Sequence, residues 1–217
     1  MLNTGIIVAG AVLLVGLLIA EKKESLKGKL MTKPLASLGF IMLAMVQSHP
    51  VPTYYYWILA GLVFCLGGDV FLALPQKPMF LVGLISFLLG HVLYVFGFLA
   101  LVSISAWIQV ETLIIICIST AVFIWLKPHL GSMLVPVVVY VIVISLMLIG
   151  AMAVFNSSTI APGGRNLVMV GAVLFYLSDL SVARNRFVKK EYVNRLVGLP
   201  LYYTGQYLLA LSVNLGW

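Results

Sequence analysis

Two acidic residues stand in segments that are otherwise almost purely apolar. Asp69 lies in Leu62-Val-Phe-Cys-Leu-Gly-Gly-Asp-Val-Phe-Leu-Ala-Leu74, and Asp179 in Val170-Gly-Ala-Val-Leu-Phe-Tyr-Leu-Ser-Asp-Leu-Ser-Val-Ala183. Both runs read as membrane spans, where a charge is costly and is usually kept for function. Two carboxylates in one poorly solvated site divide the labour. Desolvation and mutual repulsion hold a single proton on the pair, so one is an acid while the other is an anion. Glycosidases use such a pair to protonate one atom beside a developing oxocarbenium ion. Proton relays in transporters use the same residues, and an intramembrane Asp also serves as a hydrogen-bonding tie between helices.

Further polar groups fall at the same depth. Counting 1.5 Å per residue, both aspartates sit roughly 22 Å below the outer boundary, while Gln206 and His91 sit about 12 and 18 Å above the inner one. Tyr94 follows His91 by three residues, and Tyr203 and Tyr202 precede Gln206 by three and four, which places each on its neighbour's helix face. Arg186 follows Asp179 by two turns, at headgroup level. Lys33 is expected to snorkel from the inner end of its span as a topology anchor, with phosphate binding as its functional alternative. Cys65 and Cys117 read as small packing residues, Cys65 one turn before Asp69. His49, His91 and His129 are spread along the chain and cannot converge on one zinc ion. An oxygen-ligated ion between the aspartates is the one metal arrangement left open, and no metal or cofactor is implied.

The elements that must position these groups are helices in a bilayer. The chain has 217 residues, is 63% hydrophobic and only 9% charged, which excludes a soluble domain and leaves one polytopic domain, residues 1–217. Apolar runs able to cross hydrocarbon fall at 4–20, 32–47, 54–74, 79–102, 107–126, 133–154, 166–184 and 198–216. The expectation is an all-α bundle of eight transmembrane helices. The softest boundary is Ser103-Ile-Ser-Ala106, where fusion would give seven. Charge supports eight: Lys22, Lys23, Lys27, Lys29, Lys33, Lys77, Lys127, Arg184, Arg186, Lys189, Lys190 and Arg195 then share one side, and only Arg165 of the 13 basic residues lies opposite. Basic loops face the cytoplasm, so both termini are expected outside it. The net charge of +7 is therefore topological, and nucleic acid is not an expected partner. The first run has no basic residue ahead of it in Met1-Leu-Asn-Thr and no small-x-small cleavage site, and is expected to stay as a span. Lys33-Pro34 with Lys127-Pro128, Gly68-Asp69 with Ser178-Asp179, and Gly90-His91 with Gly205-Gln206 suggest a parallel four-plus-four pseudo-repeat.

At these residues the chain resembles the YhhN-like family of membrane proteins, whose characterised members are lysoplasmalogenases. The matching pieces are Lys33-Pro34; Gly68-Asp69 with Leu72; Gly83 through Phe87, Gly90-His91 and Tyr94; Phe175, Ser178-Asp179 and Asn185-Arg186-Phe187; and Tyr203 with Gln206. The resemblance implies an eight-helix integral membrane hydrolase that cleaves the vinyl ether of lysoplasmalogens to a fatty aldehyde and a glycerophospho-alcohol. Asp69 and Asp179 would then be catalytic. His91, Tyr94, Gln206, Tyr203, Lys33, Arg186, Asn185 and Ser178 would bind substrate: Gln206 and Tyr203 holding water, His91 and Tyr94 the glycerol or ether oxygen, Lys33 and Arg186 the phosphate. The expected partners are a lysophospholipid and membrane lipids, with no protein partner indicated. The small size and terse loops favour a bacterial inner membrane. A proton-coupled transporter using the same aspartates is the alternative.

Overall fold

In hydrocarbon, backbone polar groups have no partner but one another, so an unbroken apolar run closes into a helix. The structure, a computed structural model, describes residues 1–76 and 78–216. It is 84% helical, without a strand among those residues. Among the described residues eight α-helices follow in order: α1 (Leu2–Lys22), α2 (Leu26–Met45), α3 (Pro52–Ala73), α4 (Met79–Leu99), α5 (Val110–Leu126), α6 (Leu134–Phe155), α7 (Pro162–Ala183) and α8 (Tyr192–Ser212). Six are long and apolar enough to cross a membrane. The other two, α2 and α8, carry the polar load: Lys27, Lys29 and Lys33 in one, Asn194, Arg195 and Gln206 in the other. Lys77 of the expected basic set lies outside the described residues.

The soft boundary is a true break. After α4 ends, a 3-10 turn at Ile104–Trp107 redirects the chain. Gln109 and Thr112 then cap α5 reciprocally, each side chain taking the other's backbone N–H. Two local features differ from expectation. Helix α2 begins well before residue 32, because Ser25 Oγ accepts the Gly28 N–H at 3.2 Å and starts the helix ahead of the apolar stretch. Lys33 is therefore inside α2 rather than at its end. Lys127–Pro128 lies in a 3-10 turn, Lys127–His129, before α6, so it does not occupy the place that Lys33–Pro34 has in α2.

The most extensive contacts join α3 to α4 and α7 to α8. Each pair crosses on glycine. A β-carbon on Gly90 would lie 3.1 Å from the Gly61 carbonyl oxygen, and one on Gly205 would lie 2.8 Å from that of Gly171. Small residues allow such backbone approach in membrane bundles. Contacts of α2 with α8 and of α4 with α6 close the ring. Asp69 of α3 and Asp179 of α7 are thereby turned to the interior, while Val12, Val15, Ile114 and Ile118 of α1 and α5 are exposed, as a lipid-facing surface requires.

Candidate active site

Asp69 is 2% exposed and Lys33 3%. Helical spacing brings Lys33 and Ser37, one turn apart on α2, to face α3. Lys33 Nζ lies 3.1 Å from Asp69 Oδ1. Ser37 Oγ and Tyr202 OH each donate to Oδ2 at 2.6 Å. A buried carboxylate is stable only with this kind of compensation, a cation plus donors on its remaining lone pairs. This corrects the snorkelling expectation for Lys33: its ammonium is spent on Asp69 inside the bundle, not at the headgroups.

From Tyr202 the hydrogen bonds continue. Gln206 Nε2 donates to Tyr202 OH at 3.4 Å, and Tyr94 OH donates to Gln206 Oε1 at 2.8 Å. Cys65 Sγ is 3.7 Å from Tyr94 OH. Tyr203 OH turns instead to the Lys33 carbonyl at 3.3 Å. These partners belong to α2, α3, α4 and α8, so one polar thread ties four helices.

Asp179 has a different setting. Tyr140 of α6 donates to its Oδ2 at 2.6 Å, and no ion pair reaches it among the described residues. Tyr140 packs edge-on against the His91 ring, with centroids 5.3 Å apart, and Phe175 covers His91 at 4.5 Å. The His91 ring is fully buried. Among the described residues neither of its nitrogens has a hydrogen-bond partner of good geometry, although the Phe87 carbonyl one turn back faces it. His91 meets the site through its ring contact with Tyr140.

Both aspartates line one cavity of about 1050 Å³, counting its open mouth. Lys33, Tyr140, Tyr202 and Ser178 share its wall. The buried Ser178 hydroxyl has no hydrogen-bond partner among the described residues. His91, Tyr94, Gln206 and Tyr203 are not on the wall; they stand behind it, in contact with wall residues or with their hydrogen-bond partners. At α8's first turn, Asn194 and Arg195 also line the cavity. Arg195 Nε is 3.9 Å from Glu21. Arg186 is exposed and lies over the Phe80 ring at 4.2 Å, and Phe80 is on the wall. Asn185 supports the α7–α8 connection, its Oδ1 accepting from the Glu191 backbone N–H and from Asn194 Nδ2, both at 3.2 Å. That connection is one π-helical turn, Arg184–Val188, a distortion common near functional sites. Arg184 and Lys189 both reach Glu191, at 2.8 and 2.7 Å, and these exposed contacts hold its carboxyl below the ordinary value of 4.5.

The two aspartates of the expected couple line one cavity with different surroundings. Asp69 carries its own cation, and Asp179 carries a phenol. The two carboxylates are distinguished by their partners.

The YhhN family model matches residues 28–213. This chain belongs to the YhhN family. It is 33% identical over 180 residues to lysoplasmalogenase TMEM86A of Bos taurus, covering 81% of this chain and 69% of the relative. It is 29% identical over 189 residues to a lysoplasmalogenase of Mycobacterium bovis, covering 83% and 69%. Human lysoplasmalogenase TMEM86A is 31% identical over 183 residues, with 81% and 69% covered. No solved structure matches the chain significantly. The YhhN match takes in every polar group of the cavity.

Sequence reasoning missed Ser37, Tyr140, Asn194 and Arg195 in this YhhN chain. Ser37 had a signal, one turn after Lys33. Tyr140 had one as well: it and Ser145 are the only side-chain hydrogen-bonding groups within α6.

Proposed function

We propose that this YhhN-family protein is an integral membrane hydrolase that cleaves the vinyl ether of a lysoplasmalogen, giving a fatty aldehyde and a glycerophospho-alcohol. The names of its bacterial and mammalian relatives support the substrate class. One observation carries the chemistry: two aspartates on one cavity, Asp69 neutralised by Lys33 and Asp179 without a cation among the described residues.

Vinyl ether hydrolysis is limited by protonation of the alkene carbon. In this reading Asp179 is the acid. Tyr140 occupies Oδ2, so Oδ1 carries the proton to the alkene. The new C–H bond takes the π electrons, and the ether oxygen supplies a lone pair to form an oxocarbenium ion. The carboxylate left on Asp179 lies beside that cation and stabilises it. Water then adds to the cationic carbon and returns a proton to Asp179. As the hemiacetal collapses, its hydroxyl proton passes to the glycerol oxygen, the C–O bond to glycerol breaks with its electrons on that oxygen, and the hydroxyl carbon becomes the aldehyde carbonyl. Asp69, fixed by Lys33, Ser37 and Tyr202, keeps a polar wall that orients the water and the glycerol oxygen. Ser178 offers a free hydroxyl to the same end. Arg195 and Arg186, at the cavity's α7–α8 rim, take the phosphate in place of Lys33.

The same reading takes all eight helices as spans, with the basic loops cytoplasmic and both termini opposite, in a bacterial inner membrane. A parallel four-plus-four pseudo-repeat is supported by spacing: Gly61 precedes Asp69 by eight residues, as Gly171 precedes Asp179, and both glycines sit at helix crossings. A second reading, a proton-coupled transporter, is favoured by the thread from Asp69 through Tyr202, Gln206 and Tyr94 to Cys65. Mass spectrometry of an alkenyl lysophospholipid incubated with the purified protein in detergent tests the choice. Released fatty aldehyde supports hydrolysis. Flux in proteoliposomes without product supports transport.

A further inference from the structure

A second hollow lies against the catalytic cavity. Ser119, Thr120 and Phe123 of α5 and Val138, Val141 and Ser145 of α6 line it, enclosing about 720 Å³ with its open side included. Val141 faces both spaces. The hydroxyls on its wall are largely satisfied by the protein: Ser145 donates to Ser119 at 2.7 Å, and Ser119 meets Tyr176 OH at 3.0 Å. What remains for an occupant is apolar. The rim residues Ile116 and Ile142 are exposed, so the hollow opens on the lipid side.

The partition between the two spaces is loosely held. Leu126, Leu130 and Val137 form a small apolar cluster apart from the main core, with Val122, Phe123, Val141 and Phe187 at its edges. Helix α5 meets the bundle chiefly through α6. The 127–133 connection between them consists of short 3-10 turns. Within it Gly131 has φ +49°, with nothing within 4 Å of the place a β-carbon would take. Segments with so few buried contacts are the ones that open locally.

We infer that the hydrocarbon tail of the substrate passes from Asp179 between α5 and α6 into this hollow, with Val141 and Phe123 as its threshold. The inference rests on the vinyl-ether hydrolase reading. The polar wall of the catalytic cavity comes from α2, α3, α7 and α8 through Lys33, Asp69, Ser178 and Arg195, which suits the glycerophosphate. The α5–α6 wall adds only apolar side chains besides Tyr140, which suits the chain. The hollow's volume falls in the range of roughly 300–1,000 Å³ usual for small-molecule sites, and its lipid-side mouth gives a membrane-dissolved substrate a lateral entrance and the aldehyde an exit.

The test uses a lysophospholipid with a diazirine at the end of its tail, photoactivated on the purified full chain. The label is expected on α5 and α6 peptides. It should be displaced by unlabelled alkenyl lysophospholipid and not by diacyl phospholipid. Labelling centred on α1 or α3, or equal displacement by the diacyl lipid, overturns the inference; the latter marks an ordinary annular lipid. In parallel, Thr120→Trp and Leu146→Trp fill the hollow. Each should lower the ratio of turnover on a hexadecenyl tail to that on a butenyl tail by about tenfold, and an unchanged ratio in both contradicts the path. A wild-type protein that releases no aldehyde sinks the hydrolase reading, and the labelling pattern then still decides where the tail lies.

Discussion

Replacing Lys33 with Met isolates the charge pair that sets the two aspartates apart. The side chains match in length, so packing is largely kept. The ammonium 3.1 Å from Asp69 Oδ1 is lost, while the carboxylate stays buried at 2% exposure. Removing one partner of a buried ion pair costs about 3–5 kcal/mol, because the remaining charge is uncompensated. For a chain of this size that is a fall of about 6–20 °C in Tm. The double variant Lys33→Met/Asp69→Leu removes both charges and should recover most of the loss. It should stay short of wild type by about 1–2 kcal/mol, because the Ser37 and Tyr202 hydroxyls lose their acceptor. Thermal unfolding in detergent, followed by tryptophan fluorescence, gives all four corners of the cycle. A loss under about 1 kcal/mol in the single variant, as for a solvent-exposed pair, refutes the reasoning. So does a double variant as unstable as the sum of its parts.

Other outcomes follow from particular contacts. Tyr140→Phe removes the described hydrogen bond on Asp179 Oδ2 and should lower kcat by about 10–100-fold with little change in KM; steady-state kinetics on a fixed lysolipid checks it. Gly205→Val forces a β-carbon against the Gly171 carbonyl and should cost about 1–3 kcal/mol, whereas Gly5→Ala, with nothing within 4 Å, should leave Tm unchanged. Glu191 is held below 4.5 by Lys189 and Arg184, so its contribution is complete above the unfolded value and is lost as pH falls through the lower folded one. Glu191→Gln should therefore remove part of the acid-side fall in stability below pH 4.5, read as Tm against pH.

Much of the fold was legible because a bilayer leaves few choices. Each apolar run became a helix, and Ser103 to Ala106 broke α4 from α5 as turn residues do. The limits lay where helix rotation matters. Tyr202 and Tyr203 are adjacent, and sequence favoured Tyr203 as the group beside the chemistry. About 100° of rotation separates them on a helix. The packing of α8 against α2 and α3 gives Asp69 to Tyr202 and turns Tyr203 to the Lys33 carbonyl. The same limit applies to Lys33. Hydropathy sees only where a span is apolar, while Ser25 started α2 early enough to carry the lysine inside. Tyr140 and Arg195 come from helices that neither aspartate occupies, so only tertiary packing brings them to the cavity.

The central claim is that Asp179 delivers the proton. Aldehyde released from an alkenyl lysophospholipid should be measured for wild type and Asp179→Asn, each purified and shown folded by an unchanged Tm. The account predicts that the variant loses about 10²–10⁴-fold in turnover while still binding the lysolipid. Turnover within about twofold of wild type, less than 1 kcal/mol in barrier height, contradicts it.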